Sequence, residues 1–139
     1  MGKKNYVIVI SILFLLIVNF IGCTEKAVET KEVKNVILID TDIIELVESS
    51  LDLIEKHGQI IQADVSFRFK STTDKTVNIV YLVEFCDKDD KVLHQAQKRI
   101  DNLPAGYTEY SPNIFTFIGT GTKNVHHVNI RVIDYEFVE

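Results

Sequence analysis

Tryptophan is absent from the 139 residues, methionine occurs once, and there are only two prolines, two cysteines and six glycines. Each shortage removes a class of explanation. Without tryptophan there is no strong platform for stacking a sugar, and with six glycines little chain is available for active-site loops. The segment GTGTK at 119–123 lacks the spacing of a phosphate-cradling P-loop. No G-x-S-x-G elbow occurs for a serine nucleophile. Basic residues are few and scattered, the longest cluster being Lys98-Arg99, so the phosphate-neutralising patch that nucleic acid requires is missing. Two cysteines allow at most one disulfide.

Residues are concentrated unevenly at the N-terminus. Lys3 and Lys4 precede an apolar run from Tyr6 to Ile21 that only Ser11 and Asn19 interrupt, the layout of a secretory signal. The run is shorter than the roughly 20 residues that cross a bilayer as a helix. A retained single-span anchor is the alternative. At its end, Phe20-Ile21-Gly22-Cys23 resembles the lipobox of prokaryotic lipoproteins, in which an aliphatic residue, a small or aliphatic residue and Gly or Ala precede the modified cysteine. Phe20 stands where leucine is usual. The resemblance implies cleavage of residues 1–22, a diacylglyceryl group on Cys23 and a protein held to the membrane by its acyl chains on the extracytoplasmic face. Each buried methylene then contributes about 0.8 kcal/mol, and doubled chains tether stably.

Acylation of Cys23 leaves Cys86 without an intramolecular partner, and a lone cysteine in an oxidising compartment survives best when buried. A Cys23 to Cys86 disulfide requires a different processing of the N-terminus. Loss of residues 1–22 moves the formal net charge from −5 to −7, so the mature chain is acidic. Residues 23–32 are polar and read as a flexible tether, the polar stretch TEKAVETKEVK (24–34) spanning roughly 35 Å if extended. Residues 33–139 are the folded domain.

That domain reads as mainly β. In IIQADVSFRFK, Ile61, Ala63, Val65, Phe67 and Phe69 alternate with polar residues, so one face is core and the other is wet. VNIVYLVEFCD is apolar at nearly every position, which suggests a central strand covered on both faces. Leu103-Pro104-Ala105-Gly106 reads as a turn with proline second, and Pro112 interrupts the strand YTEYSPNIFTFIG. Val128, Ile130 and Val132 alternate in a last strand. One segment differs. In residues 41–58 the apolar Ile44, Val47, Leu51 and Ile54 recur at helical spacing, with Asp42 as N-cap and Gly58 as C-cap, which predicts a short helix between the first strand, 33–39, and the second. The pairs Ile44-Leu46 and Leu51-Leu53 also alternate, so a strand is the alternative.

The segment NIVYLVEFCDKDDKVL followed by RIDNLPAGYTEY resembles FxLYD-type domains, immunoglobulin-like sandwiches of prokaryotic lipoproteins and envelope proteins. Val83-Glu84-Phe85-Cys86-Asp87 keeps only the final Asp of the signature pentad, and Asp90 stands in place of the hairpin glycine. The resemblance implies an immunoglobulin-like antiparallel β-sandwich of six to seven strands with a binding or assembly role, and brings no catalytic residues.

Candidate chemistry is sparse. Asp87, Asp89 and Asp90 in DKDDK are a weak calcium candidate, lacking the glycine and glutamate of an EF-hand loop. His126 and His127 are neighbours in a strand, which predicts rings on opposite faces and no shared ion. His57 and His94 belong to no ligand motif, so no metal site is expected. Cys86 has no evident histidine partner, and dispersed carboxylates remain the only route to a hydrolase. Tyr107, Tyr110, Tyr135 and Phe137 read either as caps on the core or as partner anchors. The reading is a non-catalytic, cofactor-free lipoprotein that is tethered through Cys23 and engages an envelope protein. An ion- or small-ligand-binding accessory protein using the 87–90 hairpin is the second reading.

Overall fold

The computed structural model describes residues 29–33 and 35–139. The signal segment and Cys23 lie outside the described residues. Among the described residues eight strands, against the six to seven expected, follow in order: β1 (Glu29–Val33), β2 (Val36–Ile39), β3 (Ile44–Lys56), β4 (Gln59–Ser71), β5 (Val77–Cys86), β6 (Val92–Leu103), β7 (Asn113–Ile118) and β8 (His127–Phe137), with a 3-10 turn at Thr122–Asn124. They form two four-stranded sheets, β1-β3-β4-β7 and β2-β8-β5-β6. All pairings are antiparallel except β2 with β8.

Side-chain alternation makes these sheets a sandwich. Ala63, Val65, Phe67 and Phe69 of β4 and Val77, Ile79, Tyr81, Val83 and Phe85 of β5 are all fully buried, and their intervening neighbours are half-exposed. The two inner faces meet in an aromatic cluster. Tyr81 lies edge-on to Phe69 at 5.1 Å and to Phe67 at 6.0 Å, and Phe67 stacks on Phe115 of β7 at 5.9 Å. Such tilted and offset rings contribute about 0.5–1.5 kcal/mol per pair beyond the area they bury. β5 is central as expected, but only one of its faces is covered: Val80 and Leu82 on the outer face stay half-exposed, flanked in register by Arg99 and Gln97 of β6.

The expected helix over 41–58 is a correction: the segment is β3, a thirteen-residue strand. Ile44 and Leu46 face inward, and then Leu51 and Leu53, so the parity changes within the strand. A bulge at Val47, the residue skipped between the pairs Leu46↔Phe69 and Glu48↔Arg68, causes the change. Two apolar pairs of period two, offset by one extra residue, imitate spacings of three and four. His57 and Gly58 do not end a helix either. Both have positive φ (53° and 74°) and form the two-residue turn between Lys56 and Gln59, the primed geometry that matches strand twist.

Residues 29–32, placed in the tether by the sequence, pair together with Val33 along Leu51–Glu55 of β3. The chain then passes to the other sheet, where β2 runs beside Val128–Arg131 of β8. Thus the first expected strand, 33–39, is two strands that straddle one side of the sandwich.

The Pro104 turn falls one residue later than the sequence places it. Tyr107 N–H donates to Pro104 O at 3.1 Å, with Gly106 at φ 65° in the third position. Beyond it, Tyr107–Glu109 adds to the β4 edge (Ser71 N–H to Tyr107 O and Glu109 N–H to Phe69 O, both 2.9 Å), and β7 pairs with the same edge from Phe67 to Gln62. Pro112 lies in the gap. Side chains fill it. Glu109 Oε2 accepts from Phe69 N–H (2.9 Å) and from Asn113 Nδ2 (2.7 Å), and Asn113 Oδ1 accepts from Tyr81 O–H (3.1 Å) and Lys98 Nζ (2.7 Å). The set joins β4 and β7 to β5 and β6 across the sandwich.

Burial raises the Tyr81 phenol's pKa above its ordinary value, and the Glu109 charge adds to the rise. The folded state therefore holds this proton more tightly than the unfolded chain. Its contribution to stability is complete below about pH 10 and falls as pH rises beyond that. In urea unfolding, Tyr81→Phe is expected to cost about 1 kcal/mol, because Asn113 keeps Lys98 as a donor, whereas Asn113→Leu strands the buried phenol and costs about 2–3 kcal/mol. Tyr81→Phe should also remove this residue's share of the alkaline decline.

Candidate functional site

The register gives the sandwich two distinct ends about 40 Å apart, the length of a thirteen-residue strand at roughly 3.3 Å per residue. One end carries the β3–β4 turn, the Asp87–Lys91 hairpin and the 3-10 turn; Glu29 lies there too, opposite Glu55. The other carries the β2–β3 link, the Pro104 turn and the end of β8.

At the first end the acidic hairpin is a self-contained turn. Asp87 Oδ1 accepts from the N–H groups of Asp89 (2.9 Å) and Lys91 (3.0 Å). Those two bonds, helped by the Lys91 and Lys88 charges, hold the Asp87 carboxyl below the usual carboxylate range. Asp90 takes the left-handed conformation (φ 62°), which aspartate tolerates better than most residues. Asp89 contacts Lys88, and Asp90 Oδ1 lies 3.0 Å from His127 Nε2. The three carboxylates therefore have separate partners instead of converging.

The histidine expectation requires correction. His126 precedes β8, with its N–H on Cys86 O at 2.8 Å, so strand alternation does not govern its ring. The Nδ1 atoms of His126 and His127 approach to 3.1 Å, one donating to the other. His127 is buried, and its Nε2 is close to Asp90 without the alignment of a hydrogen bond. His94 stacks on Phe117 at 4.8 Å. Among the described residues, no three His, Cys, Asp or Glu side chains are placed to hold one metal ion.

Among the described residues Cys86 has no disulfide partner, and it is fully buried, opposite His127 in register. Burial pushes its thiol pKa up, the Glu84, Asp90 and Asp87 carboxylates push it further, and a weak Asn129 contact opposes them. This is the reverse of the cation-rich setting that generates a nucleophilic thiolate.

Apolar surface reaches solvent at both ends, through Ile61 and Ile118 (40% and 69% exposed) at the first and through aromatic side chains at the second. Tyr135 and Phe137 meet edge-on at 5.6 Å yet are 52% and 43% exposed, and Ile133 is 45% exposed. Both rings are on the inner side of their sheet, opposite Ile79 and Val77 in register. Lys75 Nζ sits 6.0 Å from the Phe137 ring. Tyr110, at the Pro112 break, is 88% exposed. A cleft of about 270 Å³ separates Asp40–Ile43 from Val132–Tyr135, and its charged groups are Asp40, Asp42 and Asp134. Sequence reading named the aromatic residues but not the cleft, because the three aspartates are brought together only by β2 turning away from β8.

Among the described residues, no helix is long and apolar enough to cross a membrane. No family model matches the chain, and no curated protein matches it. The chain is similar to a solved structure, the crystal structure of Campylobacter jejuni cj0090, at 21% identity and a TM-score of 0.37 over 72% of this chain and 99% of that one.

Native Cys86 is expected to resist iodoacetamide at neutral pH and to react at the rate of a free thiol once the chain is unfolded in urea. Mass spectrometry of the alkylated chain before and after unfolding measures this directly.

Proposed function

We propose that the protein is a lipid-anchored extracytoplasmic module that binds a partner protein and catalyses nothing. The observation that carries this reading is the separation of its ends. Glu29 begins β1 only six residues after Cys23, a reach of about 20 Å at most. An acyl group on Cys23 would thus hold the hairpin end near the lipid. The opposite end, with its exposed aromatic residues and acidic cleft, would project from the membrane by the length of the sandwich.

The immunoglobulin-like and FxLYD-type assignment belongs to the same proposal, and strand order supports its fold. In an immunoglobulin domain, strand B crosses to C in the other sheet, E returns beside B, and F returns beside C. Here β4, β5, β7 and β8 follow that path, with β3 in the place of A and β6 in the place of C′. The difference lies beside β8, where G would run antiparallel and β2 runs parallel.

The ion-binding alternative has less support, because Asp87 serves its own turn and Asp89 and Asp90 contact other partners.

Intact mass of the protein extracted from membranes tests the anchor. The expected species begins at Cys23 and carries acyl mass, and Cys23→Ser should leave an unprocessed, unacylated chain. A native chain retaining residues 1–22 would replace the lipid anchor with a single span, and a Cys23 to Cys86 bond would overturn the localisation.

A further inference from the structure

β8 is paired with β5 along its whole length, from His127 opposite Cys86 to Phe137 opposite Val77. On its other side β2 covers only Val128–Arg131. At Asp40, which has φ 28°, the chain turns off toward β3 and opens the cleft described above. Among the described residues, no strand pairs with Val132–Phe137 on that side, so a row of backbone donors and acceptors is left open.

The two faces of this open segment differ in chemistry. Tyr135 and Phe137 share the inner face with Ile79 and Val77, whereas Asp134 and Glu136 lie opposite Val80 and Asn78 on the outer face. Asp40 and Asp42 add negative charge across the cleft, and no lysine or arginine lines it. Arg99, the basic group beyond Val80, is paired with Asp101 and is close enough to Glu136 and Asp134 to feel their charges as well, so the outer-face carboxylates are only partly balanced. Edge strands are commonly guarded against their own kind, and the bulge at Ile133, skipped between the pairs Tyr81↔Val132 and Val80↔Asp134, provides one such guard. A second copy docking edge to edge would also set Asp134 and Glu136 against the same acidic pair, and like charges facing across strands are destabilising.

We propose that the Val132–Phe137 edge receives a strand from a partner protein, an extended segment in which lysine or arginine alternates with apolar residues. Its backbone would complete the open ladder. Its apolar side chains would cover Tyr135 and Phe137, and its basic side chains would meet Asp134, Glu136 and the cleft aspartates. This rests on the reading of the protein as a tethered binding module and adds the surface and the chemistry of what binds.

The test uses the full lipidated chain in phosphatidylcholine nanodiscs, whose neutral lipid does not itself attract a basic peptide. The probes are fluorescent octapeptides. Alternating valine and lysine should bind at one per chain. Alternating proline and lysine, with equal charge and fewer backbone donors, should bind at least about tenfold more weakly, as should alternating valine and glutamate. The double substitution Asp134→Asn with Glu136→Gln should weaken the valine–lysine peptide by about three- to tenfold. Equal binding of the proline peptide, or no effect of the double substitution, would overturn the proposal. Dimers of the free chain that form through this edge would do so too.

Photo-crosslinking in native membranes separates this proposal from the reading beneath it. A crosslinker at Ile133 should capture one stoichiometric protein at a basic, alternating segment. Capture only from a crosslinker at Ile118, at the opposite end, sinks the edge proposal and leaves the binding module standing. Capture from neither position sinks both.

Discussion

The sandwich depends on how the chain repairs the interruption at Pro112. Proline cannot donate to a ladder, and the break leaves Phe69, in the middle of the core, with an amide that β7 does not reach. Glu109 supplies the missing acceptor, and the same carboxylate oxygen also fixes Asn113. Asn113 is 4% exposed and turns its carbonyl oxygen to the Tyr81 hydroxyl and the Lys98 ammonium on the other sheet. A hydrogen-bonded set satisfied at every member specifies one arrangement, because any shift of β7 along β4 would leave several buried polar groups unpaired at once. Apolar packing alone would permit neighbouring registers of so short a strand. The opposite side of the sandwich is closed by backbone instead, through β1 and β2.

This arrangement determines which residues remain for function. Of the buried groups with chemical potential, Tyr81 and Asn113 are used structurally and Cys86 is held as a thiol, while His127 keeps an Nε2 with no hydrogen-bond partner. Cys86 is the clearest case, since desolvation and three nearby carboxylates all favour the thiol. Surface groups show the same economy: Glu48 pairs with Arg68 and Glu45 with Lys70 on the outer face of the first sheet. Exposed pairs of this kind contribute only about 0–1 kcal/mol each, so they solubilise that face more than they stabilise it.

Legibility in the sequence followed how purely local the cause was. β4 could be read directly from Ala63 to Phe69, because an unbroken period of two has one physical interpretation, and Pro112 announced its own interruption; Ile61, expected on the same face, is skipped in the register between Ile54↔Gln62 and Glu55↔Ile60 and is 40% exposed. β3 could not. Its bulge at Val47 shifts the inward parity by one residue, and a shifted alternation is indistinguishable from helical spacing until the partner strand is known. The turn at His57-Gly58 compounded the error, since a glycine after a histidine suits a helix end as well as a primed hairpin. The ring contact between His126 and His127 depends on where β8 starts, and strand boundaries are weakly encoded. The cleft at the far end arises from residues more than ninety positions apart, which no local pattern can bring together.

The open edge of β8 is a consequence of the same topology. β1 and β2 are successive pieces of one descending chain, the first paired in one sheet and the second in the other, and only four residues separate β2 from β3. So short a link must turn at once to start the next strand, and Asp40 makes that turn in a conformation that β-branched residues would resist. A longer β2 would have covered Val132–Phe137 and erased the cleft. The length of β2 therefore sets the extent of β8 left open, and the aspartates at 40 and 42 that make the turn also set the charge of whatever can lie there.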